Sequence, residues 1–161
     1  MSEKVFLSLG SNMEREDNIR SALITLKNQF GLIDISPVYE SEAVGFKGNS
    51  FLNLVVGLRT DLTLEALGKR LKQIEDSHGR DRNGPKFGPR TLDIDIVLYA
   101  DLVGKHSGIE LPRPELFYNA FVLFPMADLC PDTTDILTGK TYSSLARNFS
   151  GKQVLTKIDF S

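Results

Sequence analysis

Apolar and polar residues alternate along four segments of the chain, and this two-residue period is typical of half-buried β-strands. The four predicted strands are residues 5–9, 32–39, 51–58 and 92–99. Two longer segments place apolar residues three and four positions apart, which predicts amphipathic helices over residues 14–30 and 63–78. Residues 40–50 and 79–90 are polar and contain several glycines, so we expect loops there.

The order strand, helix, strand, strand, helix, strand predicts an α+β fold, the ferredoxin-like βαββαβ sandwich. An antiparallel sheet then carries both helices on one face, and its opposite face is covered by loops or left open. The pattern also predicts C-terminal additions, a short helix over 121–129 and a strand from about Val154 to Ile158. A length of 161 residues indicates one domain, residues 1–161.

Three local signals refine the predicted elements. Ser11 and Asn12 follow the first strand and offer side-chain oxygens for an N-cap of the first helix, which we favour over a ligand-binding role. Gly31 is a suitable C-cap for the same helix. Pro37 cannot donate a ladder hydrogen bond, so the second strand is expected at a sheet edge there.

Charge and cysteine content exclude several classes of function. The net charge of −2 gives no overall attraction to nucleic acid or to an anionic membrane, so we expect neither as a partner. No stretch approaches the ~20 apolar residues that a membrane helix needs, and the N-terminus lacks the features of a signal peptide. Cys130 is the single cysteine, so an internal disulfide cannot form, which fits a cytoplasmic protein.

Two aspartates stand out on the last predicted strand. Leu92, Ile94, Ile96 and Leu98 should face one side, with Asp93, Asp95 and Val97 on the other. Cα atoms two positions apart on a strand are about 6.6 Å apart. Two carboxylates held this close favour a bound cation such as Mg²⁺ that also contacts phosphate oxygens. The alternative is a pair of solvated side chains on an exposed sheet face.

The loop before this strand is basic. It contains Arg80, Arg82, Lys86 and Arg90, and arginine matches the geometry of phosphate oxygens. A glycine-rich basic loop beside an acidic pair is what a magnesium–polyphosphate site requires, although the loop is also consistent with a solvated surface connector.

On the third strand, Phe51 and Asn53 share the face opposite the core. An aromatic ring and a primary amide can stack on and hydrogen-bond a flat heterocycle, although packing of Phe51 under a loop is the simpler interpretation.

The chain resembles the hydroxymethyl-dihydropterin pyrophosphokinases of folate biosynthesis over residues 5–132. The most specific segment is Gly88-Pro89-Arg90-Thr91-Leu92-Asp93-Ile94-Asp95. The supporting segments are Gly10-Ser11-Asn12, Phe51-Leu52-Asn53, Ile74-Glu75, Gly79-Arg80-Asp81-Arg82, Leu111-Pro112 and Phe121-Val122-Leu123-Phe124-Pro125.

The resemblance implies an enzyme that moves the terminal diphosphate of ATP onto the hydroxymethyl oxygen of the dihydropterin and releases AMP. It implies two Mg²⁺ ions held by Asp93 and Asp95, with Mg²⁺ coordination making the hydroxyl reactive because no histidine is suited to act as a base. The residues implied to contact the pterin are Ser41, Val44, Phe51, Asn53, Asp93 and Phe121. Those implied to contact ATP are Lys72, Glu75, Arg82, Phe87, Arg90, Ile96 and Arg113. The residues also counted as catalytic are Arg82, Arg90, Asp93 and Asp95.

Three positions depart from the family pattern. Asn119 stands where an arginine is usual, Arg113 where a histidine is usual, and Lys72 where a glutamine is common. Asn119 removes a positive charge near the phosphates, and Arg113 or Lys72 can compensate for it.

Three other functions stay open. An RNA-binding module on the same fold is disfavoured, because Asp93 and Asp95 would repel a phosphate backbone. A metal-dependent nucleotidyl transferase would release pyrophosphate in place of AMP. A pterin-binding homologue without catalytic activity is the third.

Overall fold

The computed structural model describes residues 2–41, 50–79, 92–151, 153 and 155–160. Its strands are β1 (Glu3–Ser11), β2 (Asp34–Ile35), β3 (Val38–Ser41), β4 (Phe51–Thr60), β5 (Asp93–Tyr99), β6 (Gly104–His106), β7 (Ile109–Leu111) and β8 (Leu155–Ile158). Its helices are α1 (Arg15–Phe30), α2 (Leu64–Ser77), α3 (Glu115–Tyr118), α4 (Ala120–Leu129) and α5 (Tyr142–Arg147).

The main sheet has the order β5-β1-β4-β3-β8, and β2 also pairs with β4. Every pairing in it is antiparallel. The first four strands in this order, with α1 and α2, form the predicted ferredoxin-like unit, and β8 extends the sheet beyond β3. A separate hairpin of β6 and β7 follows β5. The predicted fold class and the predicted C-terminal strand are therefore confirmed.

The larger core lies between the sheet and helices α1 and α2. Alternate residues of β1 point into it, and Val5, Leu7 and Leu9 are at most 2% exposed. The apolar stripes of the two helices meet them, with Ile19 and Leu67 fully buried. Burial of one such side chain stabilises the fold by about 1.5–3 kcal/mol, so this layer is the main source of stability.

The opposite face of the sheet is also covered by helices, where we expected loops or open surface. Val55 and Val97 point to this side and pack with Val122, Leu123 and Met126 of α4. Because α4 is apolar almost all round, it must be buried on several sides. The sequence pattern located this helix but did not indicate which surface buries it.

The second predicted strand is divided at Pro37. The two parts are β2 and β3, and Ser36 between them donates its backbone N–H to Val55 O and accepts the Val55 N–H on its Oγ. The expected edge position is correct for β2 but wrong for β3, because β8 pairs with the outer side of β3.

Two further expectations need correction. The N-cap position of α1 is occupied by Glu14, in a left-handed conformation, and not by Ser11 or Asn12. The register of β1 with β5 shifts between Phe6 and Leu7, which places an additional residue, Val97, in β5. Beyond this bulge Leu98 packs on the α4 side and Tyr99 takes the core position.

Helices of the described residues are all too short or too polar to cross a membrane.

Candidate active site

Asp93 and Asp95 lie at the start of β5, on the edge of the sheet. They pair with Gly10 and Ser8 of β1, and Ile94 between them points into the core. Both side chains are partly exposed on the α4 side of the sheet, and 41% of the Asp95 side chain is accessible. The predicted orientation of the acidic pair, away from the main core, is confirmed.

A cavity of about 130 Å³, here called the aromatic cavity, opens on one side of this pair. It is lined by residues from β1, β4, β5 and the region of α3 and α4, including Ser8, Gly10, Phe51, Asn53, Asp93, Asp95, Glu115, Asn119 and Phe121. The structure therefore brings Phe51 and Phe121, which are far apart in the sequence, to the same small cavity. A planar heterocycle is the kind of ligand that two such rings and an amide can hold.

The side chain of Asn53 is oriented by its neighbours on the sheet. Its Nδ2 donates to Ser41 Oγ at 2.8 Å, and Ser41 is buried. Gly10 is paired with Asn53, and a Cβ atom at Gly10 would lie 3.2 Å from Asn53 Oδ1. Gly10 therefore leaves room for the amide. Gly10 pairs with Asn53 and Ser8 pairs with Asp95. Knowledge of this strand pairing would have predicted that both residues lie in the wall of the cavity.

A second cavity of about 250 Å³, here called the α2 cavity, opens on the other side of the aspartates. Its lining comes from α2, β5, β7 and the segment before α3, and comprises Gly68, Leu71, Lys72, Glu75, Asp93, Ile94, Asp95, Ile96, Ile109 and Arg113. Four residues that the family resemblance assigns to ATP thus surround one cavity, namely Lys72, Glu75, Ile96 and Arg113. Asp93 and Asp95 belong to the walls of both cavities.

Glu75 fixes the backbone between the two aspartates. Only 7% of Glu75 is exposed, and its Oε2 accepts the backbone N–H of Ile94 at 2.7 Å. Because β5 is an edge strand, no strand of the described chain lies on its outer side to accept this N–H. The Glu75 carboxylate on α2 accepts it in place of a strand carbonyl. Sequence reasoning did not identify this contact.

The electrostatics of Asp95 favour a cation in its vicinity. Burial raises the pKa of Asp95 to about 6. Arg113 opposes this rise, whereas the negative charges of Asp93, Glu75 and Glu115 add to it. The ionised form is therefore disfavoured in the ligand-free protein, and a divalent cation would reverse that preference.

Arg113, Glu115 and Asn119 form a chain of polar contacts between the two cavities. Arg113 Nη2 lies 3.6 Å from Asp95 Oδ2, and its Nε donates to Glu115 Oε1 at 2.8 Å. Asn119 Nδ2 donates to Glu115 Oε2 at 3.4 Å, and Asn119 Oδ1 accepts the backbone N–H of Phe121 at 3.0 Å. Asn119 thus caps α4 and holds the start of the helix that carries Phe121.

Four predicted site residues lie outside the described residues. They are Val44, which follows β3 in the sequence, and Arg82, Phe87 and Arg90, which precede β5. Their roles stay predictions.

A model of the 7,8-dihydro-6-hydroxymethylpterin-pyrophosphokinase (HPPK) family matches residues 6–131 of the chain. The protein belongs to this family. Among its relatives, the 2-amino-4-hydroxy-6-hydroxymethyldihydropteridine pyrophosphokinase of Aquifex aeolicus is 37% identical over 130 residues, which cover 80% of this chain and 81% of the relative. The enzyme of the same name from Pseudomonas aeruginosa is 36% identical over 136 residues, covering 82% and 83% of the two chains.

Solved structures agree with this HPPK assignment at the level of the fold. A Plasmodium falciparum HPPK-DHPS triple mutant aligns with 91% of this chain at a TM-score of 0.73 and 14% sequence identity. This chain spans 41% of the length of that structure's chain.

Proposed function

We propose that this protein transfers the diphosphate of ATP to the hydroxymethyl group of 6-hydroxymethyl-7,8-dihydropterin and releases AMP, as a step of tetrahydrofolate biosynthesis. The observation that carries the proposal is the position of Asp93 and Asp95 in the walls of both cavities. A donor in the α2 cavity and an acceptor in the aromatic cavity would meet at these carboxylates. Membership in the HPPK family and the names of its relatives support the same reaction.

The residues present fit magnesium. Within the described part of the chain, no group of three or more His, Cys, Asp or Glu side chains forms a metal cage. Mg²⁺ usually keeps several waters and takes one or two carboxylates together with substrate phosphates, so Asp93 and Asp95 are a suitable donor set. We propose that they hold two Mg²⁺ ions, which would neutralise charge on the transferred diphosphate.

The remaining residues bind and orient the two substrates. Phe51 and Phe121 would sandwich the pterin ring, and Asn53, held by Ser41, would hydrogen-bond its edge. Lys72 and Arg113 would contact the phosphates from the α2 cavity, where positive charge near a developing anion lowers the barrier. We also propose that Arg82, Phe87 and Arg90 complete the nucleotide site and that Val44 contacts the pterin.

We propose that magnesium coordination, with Asp95 nearby, makes the hydroxymethyl oxygen reactive. Asp95 lines the aromatic cavity, where the hydroxymethyl-dihydropterin would bind. The two histidines of the chain are engaged elsewhere, since His78 contacts Ser21 and His106 contacts Val103. We further propose that residues 1–161 act as one domain in the cytoplasm.

Product analysis tests this proposal. The protein is incubated with ATP, Mg²⁺ and hydroxymethyl-dihydropterin, and the nucleotides are separated. AMP is expected only when both the pterin and Mg²⁺ are present. ADP would indicate transfer of one phosphate, and pyrophosphate would indicate nucleotidyl transfer, so either product would overturn the proposed reaction.

An aspartate variant with a matched control extends the test. Asp95→Ala should abolish AMP formation with little effect on folding, because the side chain contributes no core packing. Asp101→Ala removes an exposed aspartate from the turn after β5 and should leave the rate unchanged. A fully active Asp95→Ala enzyme would contradict the role of this carboxylate, and absence of AMP with the unmodified protein would favour a homologue without catalytic activity.

A further inference from the structure

The guanidinium of Arg113 already contacts the carboxylate that is proposed to ligate magnesium. The distance of 3.6 Å between Arg113 Nη2 and Asp95 Oδ2 is long for a hydrogen-bonded pair. Arg113 is held more closely by Glu115, whose Oε1 accepts its Nε–H at 2.8 Å and lies 2.5 Å from its Nη2. Asp95 therefore has a positive partner in the ligand-free protein, and that partner is only loosely attached to it.

The backbone of Arg113 is fixed beside β5, and Glu115, in place of Asp95, anchors its guanidinium. The backbone N–H of Arg113 donates to Val97 O at 2.9 Å, which fixes the residue beside β5. Its side chain is 31% exposed and lies in the wall of the α2 cavity, where we place the ATP phosphates. Exchange of Asp95 for a phosphate in this cavity would need no change at the Arg113 backbone, since the planar guanidinium fork matches both carboxylate and phosphate.

We propose that Arg113 is the resident counter-ion of Asp95 in the ligand-free protein and transfers to the nucleotide phosphates when Asp95 becomes a metal ligand. This inference rests on the proposed function, because it requires a divalent cation at Asp95. The contact with Arg113 places a positive charge beside the carboxylate, and that charge competes with the metal.

The exchange predicts effects of opposite sign in one variant. Arg113→Gln removes the competing cation, so the ligand-free protein should bind a divalent metal roughly threefold more tightly, as for loss of an exposed ion pair. The same variant loses a phosphate contact and should bind a non-hydrolysable Mg²⁺–ATP analogue about tenfold more weakly or worse. A merely structural role for Arg113 would weaken both.

Mn²⁺ binding followed by electron paramagnetic resonance, with calorimetry for the nucleotide analogue, measures the two effects. Arg59→Gln, at the exposed far end of β4, is the matched control and should change neither affinity. The Asp95→Asn variant is measured alongside and should lose Mn²⁺ binding. If it does, equal Mn²⁺ affinities of the unmodified protein and the Arg113→Gln variant would overturn the proposed exchange. If Asp95→Asn instead bound Mn²⁺ as tightly as the unmodified protein, the metal assignment itself would fail.

Discussion

Asp95→Asn should stabilise the ligand-free protein while it abolishes diphosphate transfer. Burial raises the pKa of Asp95 to about 6, and the carboxylates of Asp93, Glu75 and Glu115 act in the same direction against Arg113. At neutral pH the folded protein therefore carries a charge that its surroundings disfavour. Asparagine has nearly the same shape and no charge, so the substitution relieves this electrostatic cost and loses the proposed metal ligand.

The size of the effect follows from the shift and from the exposure of the side chain. A rise from 3.8 to about 6 corresponds to at most ~3 kcal/mol in the free energy of unfolding. Since 41% of the Asp95 side chain is exposed, solvent screening reduces this to about 1 kcal/mol. For a chain of this length that is roughly 2–4 °C in Tm.

The pH dependence has a definite sign. The folded pKa is higher than the unfolded one, so the contribution of Asp95 to stability is fully present below about pH 4 and is lost as the pH rises through 6. The Asp95→Asn variant should therefore match the unmodified protein at pH 4 and be more stable at pH 7.5.

Thermal unfolding followed by circular dichroism, with EDTA present at both pH values, measures the difference. Asp101→Asn serves as the control, because this aspartate is exposed in the turn after β5. Equal Tm values for Asp95→Asn and the unmodified protein at pH 7.5 would refute the electrostatic reasoning. A second expectation is that Mg²⁺ with an ATP analogue raises the Tm of the unmodified protein but not that of the variant.

Three further substitutions test the walls of the two cavities. Phe121→Ala should weaken pterin binding more than ATP binding in calorimetry, and equal losses would mean that the ring is only structural. Glu75→Ala removes the acceptor of the Ile94 N–H and should lower the free energy of unfolding in urea by about 1–3 kcal/mol. Glu75→Gln retains an acceptor and should lower it less, so equal losses for the two variants would contradict this role. Gly68→Ala should raise the free energy of unfolding by about 0.5–1 kcal/mol, because Gly68 lies inside α2 and alanine favours a helix more than glycine does. The new methyl group would lie at an ordinary 3.5 Å from the Ile109 side chain, so a lower Tm would show that this position has no room for it.

The local sequence pattern located the strands and helices of the ferredoxin-like unit and predicted the orientation of the acidic pair, but it did not predict β6, β7, α3 or α5. Strand periodicity placed Asp93 and Asp95 on the face away from the main core, because successive side chains on a regular strand point to opposite faces of the sheet. The same rule failed at Leu98, since the bulge at Val97 depends on pairing with β1. The pattern located the second strand but did not predict that it divides into β2 and β3, because the division depends on hydrogen bonds between Ser36 and Val55 in β4.

The parts of the site that the sequence did not reveal depend on contacts between distant segments. The bond from Glu75 to the Ile94 N–H joins α2 to β5, and nothing in either segment indicates it. The contact of Arg113 with Asp95 likewise depends on how the segment before α3 runs beside β5. The family resemblance assigned both residues to the ATP site, but it did not indicate which atoms of the protein they contact.

The most direct test of the central claim is a crystal structure of the protein with Mg²⁺, a non-hydrolysable ATP analogue and hydroxymethyl-dihydropterin. We expect metal density at the carboxylates of Asp93 and Asp95, with the triphosphate in the α2 cavity and the pterin between Phe51 and Phe121. Substrates bound in these cavities with no ion at either carboxylate, or a nucleotide bound elsewhere, would contradict the account.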